Sequence, residues 1–177
     1  MVNDMELVRL SDKYKSYAIF ARKLYEISFP IEEKRDNLEQ CRVEKNPDYH
    51  FDLIMEGDEM LGIALYWQTP SLLFLEHFAI LPEKRNGGIG SKALKLIKQK
   101  GKPVLLEIEP LKDDITTRRL GFYTRNGFKL NPYFHLQAKL KKGDNDVELK
   151  VLTYPEIISK EVYLQFIDYM NSEISAK

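Results

Sequence analysis

The sequence has 177 residues, of which 44% are hydrophobic and 31% are charged. This composition is typical of a globular protein, and we expect residues 1–177 to form one domain. The 27 basic residues balance the 27 acidic ones, so no net field favours nucleic acid or an anionic membrane as a partner. The apolar runs are far shorter than the about 20 residues of a membrane span. Asp4 and Glu6 stand where a signal peptide would be basic and then apolar.

The predicted elements alternate between strands and helices along the chain. Strand patterns occur at residues 5–10, 49–55, 60–68, 72–80, 104–109, 128–135 and 147–154. Helical spacing of apolar residues occurs from 11 to about 27, from 31 to about 46, from 88 to 100, from about 116 to 126, and after a capping box at Thr153–Glu156. This order predicts an α/β fold built on a single sheet.

The single cysteine is not predicted to act as a nucleophile, and the histidines His50 and His135 are not predicted to bind a metal. Cys41 has no partner for an intrachain disulfide, as expected of a cytoplasmic protein. It lies in a charged helical segment without a nearby histidine, so we expect a buried or half-buried filler rather than a nucleophile. His50 and His135 have no partners at ligand spacing, and we therefore predict no metal site.

The segment Arg85–Ser91 lies between an apolar strand and a helix, and its glycines make it a candidate diphosphate site. The first amides of a helix lack intrahelical partners, and glycine lets the backbone approach an anion. The order Gly90-Ser91-Lys92 excludes a P-loop, which needs lysine before the hydroxyl residue. Gly88–Ala93 fits the dinucleotide fingerprint G-x-G-x-x-A, but residues 81–87 separate it from the strand. A dinucleotide-binding domain stays an alternative.

Two blocks of this sequence resemble the GNAT-type N-acetyltransferase superfamily. The first has Pro82 in the loop, followed by Arg85, Gly88 and Gly90 in the pattern Arg/Gln-x-x-Gly-x-Gly/Ala. The second, Arg119–Phe128, is similar to the family's Phe-Tyr-x-x-x-Gly-Phe. The resemblance covers about residues 60–134. It implies a mixed, mostly antiparallel twisted sheet flanked by helices, and the last predicted helix of this chain would be an addition.

The resemblance implies acetyl-CoA as cosubstrate and a primary amine, in a small molecule or a peptide, as acceptor. The family's CoA-binding positions fall here on Phe78, Ala79, Ile80, Arg85, Asn86, Gly87, Gly88, Ile89, Gly90 and Ser91. Thr116 stands where many relatives have an asparagine that contacts CoA. The acetyl group would pass by direct attack in a ternary complex, because Cys41 lies outside both blocks. A catalytically silent acyl-CoA-binding module is the main alternative.

Glu76 and Tyr123 are the predicted catalytic residues. Strand alternation places Glu76 on one face with Phe74, Phe78 and Ile80, and His77 on the other face. Relatives often carry a base at the position of Glu76, and burial would raise its pKa. The alternative for Glu76 is an edge-facing carboxylate or a buried salt bridge to an arginine of the core. Tyr123 is the tyrosine of the family's Phe-Tyr pair and is predicted to protonate the departing thiolate.

The positions of several acidic residues predict where an amine acceptor would enter the active site. Glu107 and Glu109 share one face of the fifth strand, and Glu32 and Glu33 lie on the early helices. We expect Glu32 and Glu107 to contribute to an acidic mouth that favours a cationic acceptor. The alternative for Glu32 and Glu33 is that they occupy the first turn of a helix, where acidic residues are favoured. The chain is also a candidate homodimer.

Overall fold

One mixed sheet organises the protein, a computed structural model of which describes residues 4–177. The strand order is β1-β2-β3-β4-β5-β8-β6, and β7 pairs with β8 outside that path. Only β4 and β5 are parallel, so the mostly antiparallel sheet predicted from the sequence is confirmed. The strands are β1 (Met5–Arg9), β2 (Tyr49–Glu56), β3 (Glu59–Gln68), β4 (Leu73–Ile80), β5 (Val104–Ile108), β6 (Lys129–Leu130), β7 (His135–Leu136) and β8 (Glu148–Tyr154).

Within the described residues, 4–177, five α-helices cover the two faces of the sheet. They are α1 (Ala18–Ser28), α2 (Asn37–Glu44), α3 (Ile89–Lys98), α4 (Asp114–Arg125) and α5 (Lys160–Tyr169), which continues as a wider turn over Met170–Ile174. Short 3-10 turns occupy Asp12–Tyr17, Ile31–Glu33 and Pro82–Lys84. Among the helices of residues 4–177, none combines the length and apolar character needed to cross a bilayer.

The sheet separates two apolar cores. On one face, Leu24 of α1, Val43 of α2 and Phe166 of α5 pack in one cluster of buried residues. On the other face, Leu94 and Ile97 of α3 belong to the second cluster. Alternate strand residues point to opposite faces, so each strand contributes to both cores.

Three predictions, on residues 31–46, Cys41 and residues 128–135, are wrong. The predicted helix over 31–46 is interrupted, because Lys34 adopts an extended conformation before Asp36 caps α2 through the Glu39 amide. Cys41 is exposed rather than buried. The predicted strand 128–135 is only the two short strands β6 and β7, because residues 131–134 between them leave the sheet.

The last helix begins later than its predicted capping box. Thr153 lies in β8, and its hydroxyl donates to the carbonyl of Glu156 at 2.7 Å instead of capping a helix. Ser159 is the residue that caps α5, accepting from the amide of Val162 at 3.3 Å. The predicted capping box is therefore wrong, although the helix itself is present.

A gap opens in the middle of the sheet. β4 and β5 pair only through Leu73–Leu75 and Val104–Leu106. Beyond Leu75, β4 continues along β3, and beyond Leu106, β5 continues along β8. The two parallel strands therefore part, and their free edges form a cleft.

Candidate active site

A cavity of about 960 Å³ lies at the parting of β4 and β5. Its walls come from the ends of both strands, the loop before α3, the inner face of α4 and the chain around Phe29 and Glu33. Most of the residues predicted from the sequence line it: Glu76, Phe78, Ala79, Ile80, Arg85, Asn86, Gly88, Ile89, Gly90, Ser91, Glu107 and Tyr123. The structure thus brings both sequence blocks to one cavity.

Three predicted site residues are placed outside the cavity lining. Gly87 is an exposed loop residue and Glu32 is exposed in the turn before α2. The Thr116 hydroxyl belongs to a capping box, in which it donates to the Asp113 carbonyl at 3.0 Å and accepts from the Asp113 amide at 3.2 Å. The structure gives Thr116 a role in starting α4 and places it 93% buried, away from the cavity.

The loop before α3 presents its backbone to the cavity. Asn86 (φ 67°) and Gly88 (φ 74°) have left-handed conformations, and Gly88 is the N-cap of α3 without a side-chain cap. Added Cβ atoms at Gly87 or Gly88 would meet no heavy atom within 4 Å. The Arg85 Nε donates to the carbonyl of Ile80 at 3.0 Å, which holds the arginine at the end of β4. Open space beside uncapped helical amides fits a bound anion.

Gly90 has a packing role as well as a place in the cavity. A Cβ atom there would lie 3.1 Å from Cζ of Phe122 on α4. The glycine therefore allows α3 and α4 to approach each other closely. Substitutions at Gly90 would disturb this helix contact together with any ligand, so Gly90 is a poor position for a binding test.

A β-bulge changes which way Glu76 and His77 point. Leu65 pairs with His77 and the next residue, Tyr66, pairs with Leu75, so Glu76 is the extra residue on β4. Glu76 accepts from Trp67 Nε1 on the α1 side of the sheet, and the His77 ring packs edge-on to Tyr25 on that same side. The predicted alternation, with Glu76 beside Phe78 and His77 opposite, is therefore wrong.

Glu76 forms a buried ion pair with Arg35. Two hydrogen bonds join the guanidinium to the carboxylate at 2.5 and 2.6 Å, and the side chains are 0% and 5% exposed. Burial by itself would raise the pKa of Glu76, but the charge and hydrogen bonds of Arg35 outweigh burial and hold the pKa well below its ordinary value. Both carboxylate oxygens are occupied, so this environment does not favour the role of base that the sequence suggested.

Tyr123 lies on α4 among aromatic neighbours. Its ring packs edge-on to Phe122 and Phe128, with centroids 5.2 and 5.6 Å away. Burial raises the pKa of Tyr123 to about 12, and the nearby Arg119 opposes that shift only in part. The phenol therefore stays protonated at neutral pH and can act as a hydrogen-bond donor inside the cavity.

Three further acidic side chains also line the cavity. Glu33, Glu107 and Glu109 all face the cavity. Burial, followed by repulsion from Glu109, raises the pKa of Glu33. Arg119 pairs with Glu109, and Glu107 binds the buried His135. Within residues 4–177, no three His, Cys, Asp or Glu side chains gather as metal ligands would.

Sequence reasoning missed Arg35, His135 and Tyr163 as neighbours of the site. In the sequence, Arg35 precedes its partner Glu76 by 41 residues, and His135 follows its partner Glu107 by 28 residues. Neither separation matches a local motif. A buried carboxylate in an apolar strand was the one available signal, because such a group requires a cationic or hydrogen-bonding partner.

The fold and the cavity define an acyltransferase-like class of protein, and comparison with known proteins specifies the family. The family described as Acetyltransferase (GNAT) family matches residues 14–128. The chain therefore belongs to the GNAT family of acetyltransferases.

Individual relatives agree with this family. YjbC of Bacillus subtilis (strain 168), whose name places it among the acetyltransferases, is 35% identical over 105 residues, which are 57% of this chain. The match spans 52% of YjbC, about half of that relative's length. A solved protein named as a GNAT-family acetyltransferase, from Bacteroides thetaiotaomicron, has a TM-score of 0.86 at 24% identity, covering 97% of this chain and 99% of that one. Arabidopsis thaliana Naa50, solved with the bisubstrate analogue CoA-Ac-MVNAL, has a TM-score of 0.57 at 14% identity, covering 84% and 97%.

Proposed function

We propose that this protein transfers the acetyl group of acetyl-CoA to a primary amine by direct attack in a ternary complex. The observation that carries the proposal is the uncapped start of α3, which opens beside the parted strands β4 and β5 in one cavity. Acetyl-CoA supplies an activated acetyl thioester. The backbone amides from Gly88 to Ser91, with Arg85, would hold its diphosphate.

The free edge of β4 supports a place for the extended arm of CoA. From Glu76 to Ile80, β4 has β3 on one side and no paired strand on the side of β5. Backbone groups of Phe78 and Ile80 on that edge can pair with an extended ligand in the manner of an added strand. The gap therefore separates a cofactor side at α3 from an acceptor side at β5.

The acidic wall supports an amine as the acceptor. Glu33, Glu107 and Glu109 lie on the acceptor side, where a cationic group gains from their charges. Naa50 has been solved with an analogue that joins CoA to the peptide MVNAL, and the two chains share a fold. We propose a small-molecule or peptide amine on this basis.

Thiol release from acetyl-CoA across a panel of amines is the experiment that tests the function. We expect amine-dependent release of CoA. Binding of acetyl-CoA without release by any amine would favour the silent acyl-CoA-binding module. Calorimetry that detects NAD(P) binding and no CoA binding would instead favour the dinucleotide alternative.

Adding a negative charge at Ser91 is expected to weaken CoA binding without loss of stability. Ser91 is exposed in the first turn of α3 and lines the cavity. A glutamate there interacts favourably with the helix N-terminus, but its charge would repel the diphosphate that the same amides are proposed to hold. Coulomb repulsion between charges on the order of 5 Å apart costs about 1–3 kcal/mol, so Ser91→Glu should raise the Kd for CoA roughly 5- to 150-fold.

Ser91→Gln is the matched control, because glutamine has the size of glutamate without its charge. Calorimetric titration of both variants should show a much larger loss of affinity in Ser91→Glu. Thermal unfolding should show that neither variant is destabilised. Equal affinities in the two variants would mean that the start of α3 does not hold the diphosphate.

Cys41 is expected to be dispensable. It is exposed on α2 and does not line the cavity, so direct attack by the amine requires no acyl-cysteine. Cys41→Ser should retain the thiol-release rate of the wild type. An acetylated Cys41 detected by mass spectrometry during turnover would contradict direct transfer.

A further inference from the structure

A chain of three polar side chains leads from the cavity into the core. Nε2 of His135 contacts Oε1 of Glu107, and Nδ1 of His135 lies 2.9 Å from the Tyr163 hydroxyl. The same hydroxyl lies 3.0 Å from the carbonyl of Phe134. The His135 side chain is fully buried, whereas that of Glu107 is 12% exposed and lines the cavity.

We propose that Glu107 accepts the proton of the acceptor amine, and that His135 and Tyr163 are positioning residues that hold the carboxylate of Glu107 in place. This inference rests on the proposed function and deepens it. It assigns the proton acceptor to β5 in place of Glu76 on β4.

The position of Glu107 supports this role. Leu75 and Leu106 are the last residues that pair β4 with β5. Glu76 and Glu107 are therefore the first residues of each strand beyond the parting. Arg35 engages both oxygens of Glu76, whereas within residues 4–177 only Oε1 of Glu107 has a hydrogen-bond partner. The other oxygen of Glu107 is available to an amine or to a bridging water.

The hydrogen bonds of His135 fix the orientation of the Glu107 carboxylate. In the tautomer that gives both donors an acceptor, Nε2–H donates to Oε1 of Glu107 and the Tyr163 hydroxyl donates to Nδ1. The ring is thus held from both sides, and it holds one oxygen of Glu107 in turn.

The proton balance of the step follows directly. The ammonium group of the acceptor loses one proton and becomes a free amine with a lone pair for attack. Glu107 takes that proton on its free oxygen and becomes a neutral carboxylic acid, while its other oxygen still accepts from Nε2–H of His135 and the Tyr163 hydroxyl still donates to Nδ1. The Glu107–His135 pair changes from a net charge of −1 to 0. Burial and the charge of Glu107 raise the pKa of Tyr163, so Tyr163 keeps one proton throughout.

Other charged groups face the pair from neighbouring elements. Glu33, from the turn before α2, and Glu109, just after β5, line the same cavity, and so do Arg118 and Arg119 of α4. The Arg119 guanidinium is paired with Glu109. Glu107 therefore shares its cavity with two further carboxylates, whereas Arg35 binds both oxygens of Glu76.

The test is the turnover of Glu107→Gln over pH and over acceptors of graded basicity. We expect kcat to fall about 10²–10³-fold at neutral pH, as for loss of a general base. The defect should shrink as pH rises and for weakly basic amines, because these acceptors arrive already deprotonated. Glu148→Gln, on the exposed end of β8, is the matched control and should retain wild-type turnover.

Tyr163→Phe tests the positioning role without opening a large cavity. It removes the hydroxyl that donates to Nδ1 of His135, and it should lower kcat up to about tenfold, as for one lost hydrogen bond. The loss should fall in kcat, with the KM for the amine unchanged. It should disappear in the Glu107→Gln background, where no base is left to orient.

The outcomes separate this inference from the function on which it rests. A pH-independent and acceptor-independent loss in Glu107→Gln, with an active wild type, would overturn only the role of Glu107. An equal loss from Tyr163→Phe in the wild-type and Glu107→Gln backgrounds would overturn the positioning role of His135 and Tyr163. A wild type that binds acetyl-CoA but releases no thiol with any amine would overturn the proposed function, and this inference with it.

Discussion

Arg35→Ala is expected to reduce the free energy of unfolding by about 3–5 kcal/mol at neutral pH, measured by chemical denaturation. Arg35 and Glu76 are 0% and 5% exposed, and two hydrogen bonds join them. Removing the guanidinium leaves an ionised carboxylate buried without its partner. The Trp67 indole, which donates to Glu76 at 3.3 Å, cannot replace a full positive charge.

The dependence of this effect on pH separates it from simple loss of packing. In the wild type the pKa of Glu76 is lowered by Arg35, so this pair stabilises the fold above the carboxyl's unfolded pKa of about 4.3 and less as pH falls below it. In Arg35→Ala burial would raise that pKa, so protonation at acidic pH relieves the variant. The deficit relative to wild type should therefore shrink as pH falls.

A double variant provides the control. Arg35→Leu combined with Glu76→Leu removes both charges and fills the site with apolar side chains, and it should recover most of the lost stability. A double variant as unstable as Arg35→Ala would show that the loss comes from packing around Arg35. A deficit that is constant over pH would support the same conclusion.

Tyr123→Phe is expected to lower kcat about 10–10²-fold with little change in the Kd for acetyl-CoA. The sequence suggested that this phenol protonates the departing thiolate. With a pKa of about 12, complete transfer to a thiolate of ordinary pKa near 8.5 is unfavourable by several pK units. We propose that the hydroxyl donates a charge-assisted hydrogen bond to the sulfur, which is worth about 1.5–3 kcal/mol.

The same assay distinguishes a donor from a general acid. Loss of a hydrogen-bond donor should give a defect that is constant from about pH 6 to pH 9, because Tyr123 remains protonated throughout. Acetylated thiols with more acidic leaving groups should show a smaller defect. Tyr154→Phe is a matched control, because Tyr154 packs on Phe128 from β8 and does not line the cavity. Comparable losses in the two variants would indicate damaged packing.

The parts of the site that are local in sequence could be predicted. The loop Arg85–Ser91 combines glycine, which permits the left-handed φ of Gly88, with the start of a helix, and both features are read from neighbouring residues. The second block lies in a helix predicted from about residue 116 to 126, and α4 (Asp114–Arg125), which carries Tyr123, agrees with that prediction to within about two residues. Their convergence on one cavity followed from the family resemblance and not from periodicity.

The parts that depend on distant partners could not be predicted. The prediction that Glu76 and His77 point to opposite faces assumed a regular β4. The bulge opposite Leu65 and Tyr66 instead turns both side chains to the same face of the sheet. The bulge depends on how β3 and β4 pair, which neither strand specifies alone. The environment of Glu76 likewise depends on Arg35, which approaches only after the chain folds back.

The segment 159–174 completes the core on one face of the sheet, and this has a consequence for synthesis on the ribosome. Phe166 and Ile174 are fully buried in that core, Tyr163 contacts His135, and the Ile174 carbonyl accepts from Arg35 at 3.4 Å. When translation has passed Tyr154, every strand of the sheet has been made, yet the part of this core that residues 159–174 cover is still exposed. A nascent chain at that stage would attract chaperones or proteases. Competence for acetyl transfer should therefore arise abruptly, when residue 174 leaves the exit tunnel.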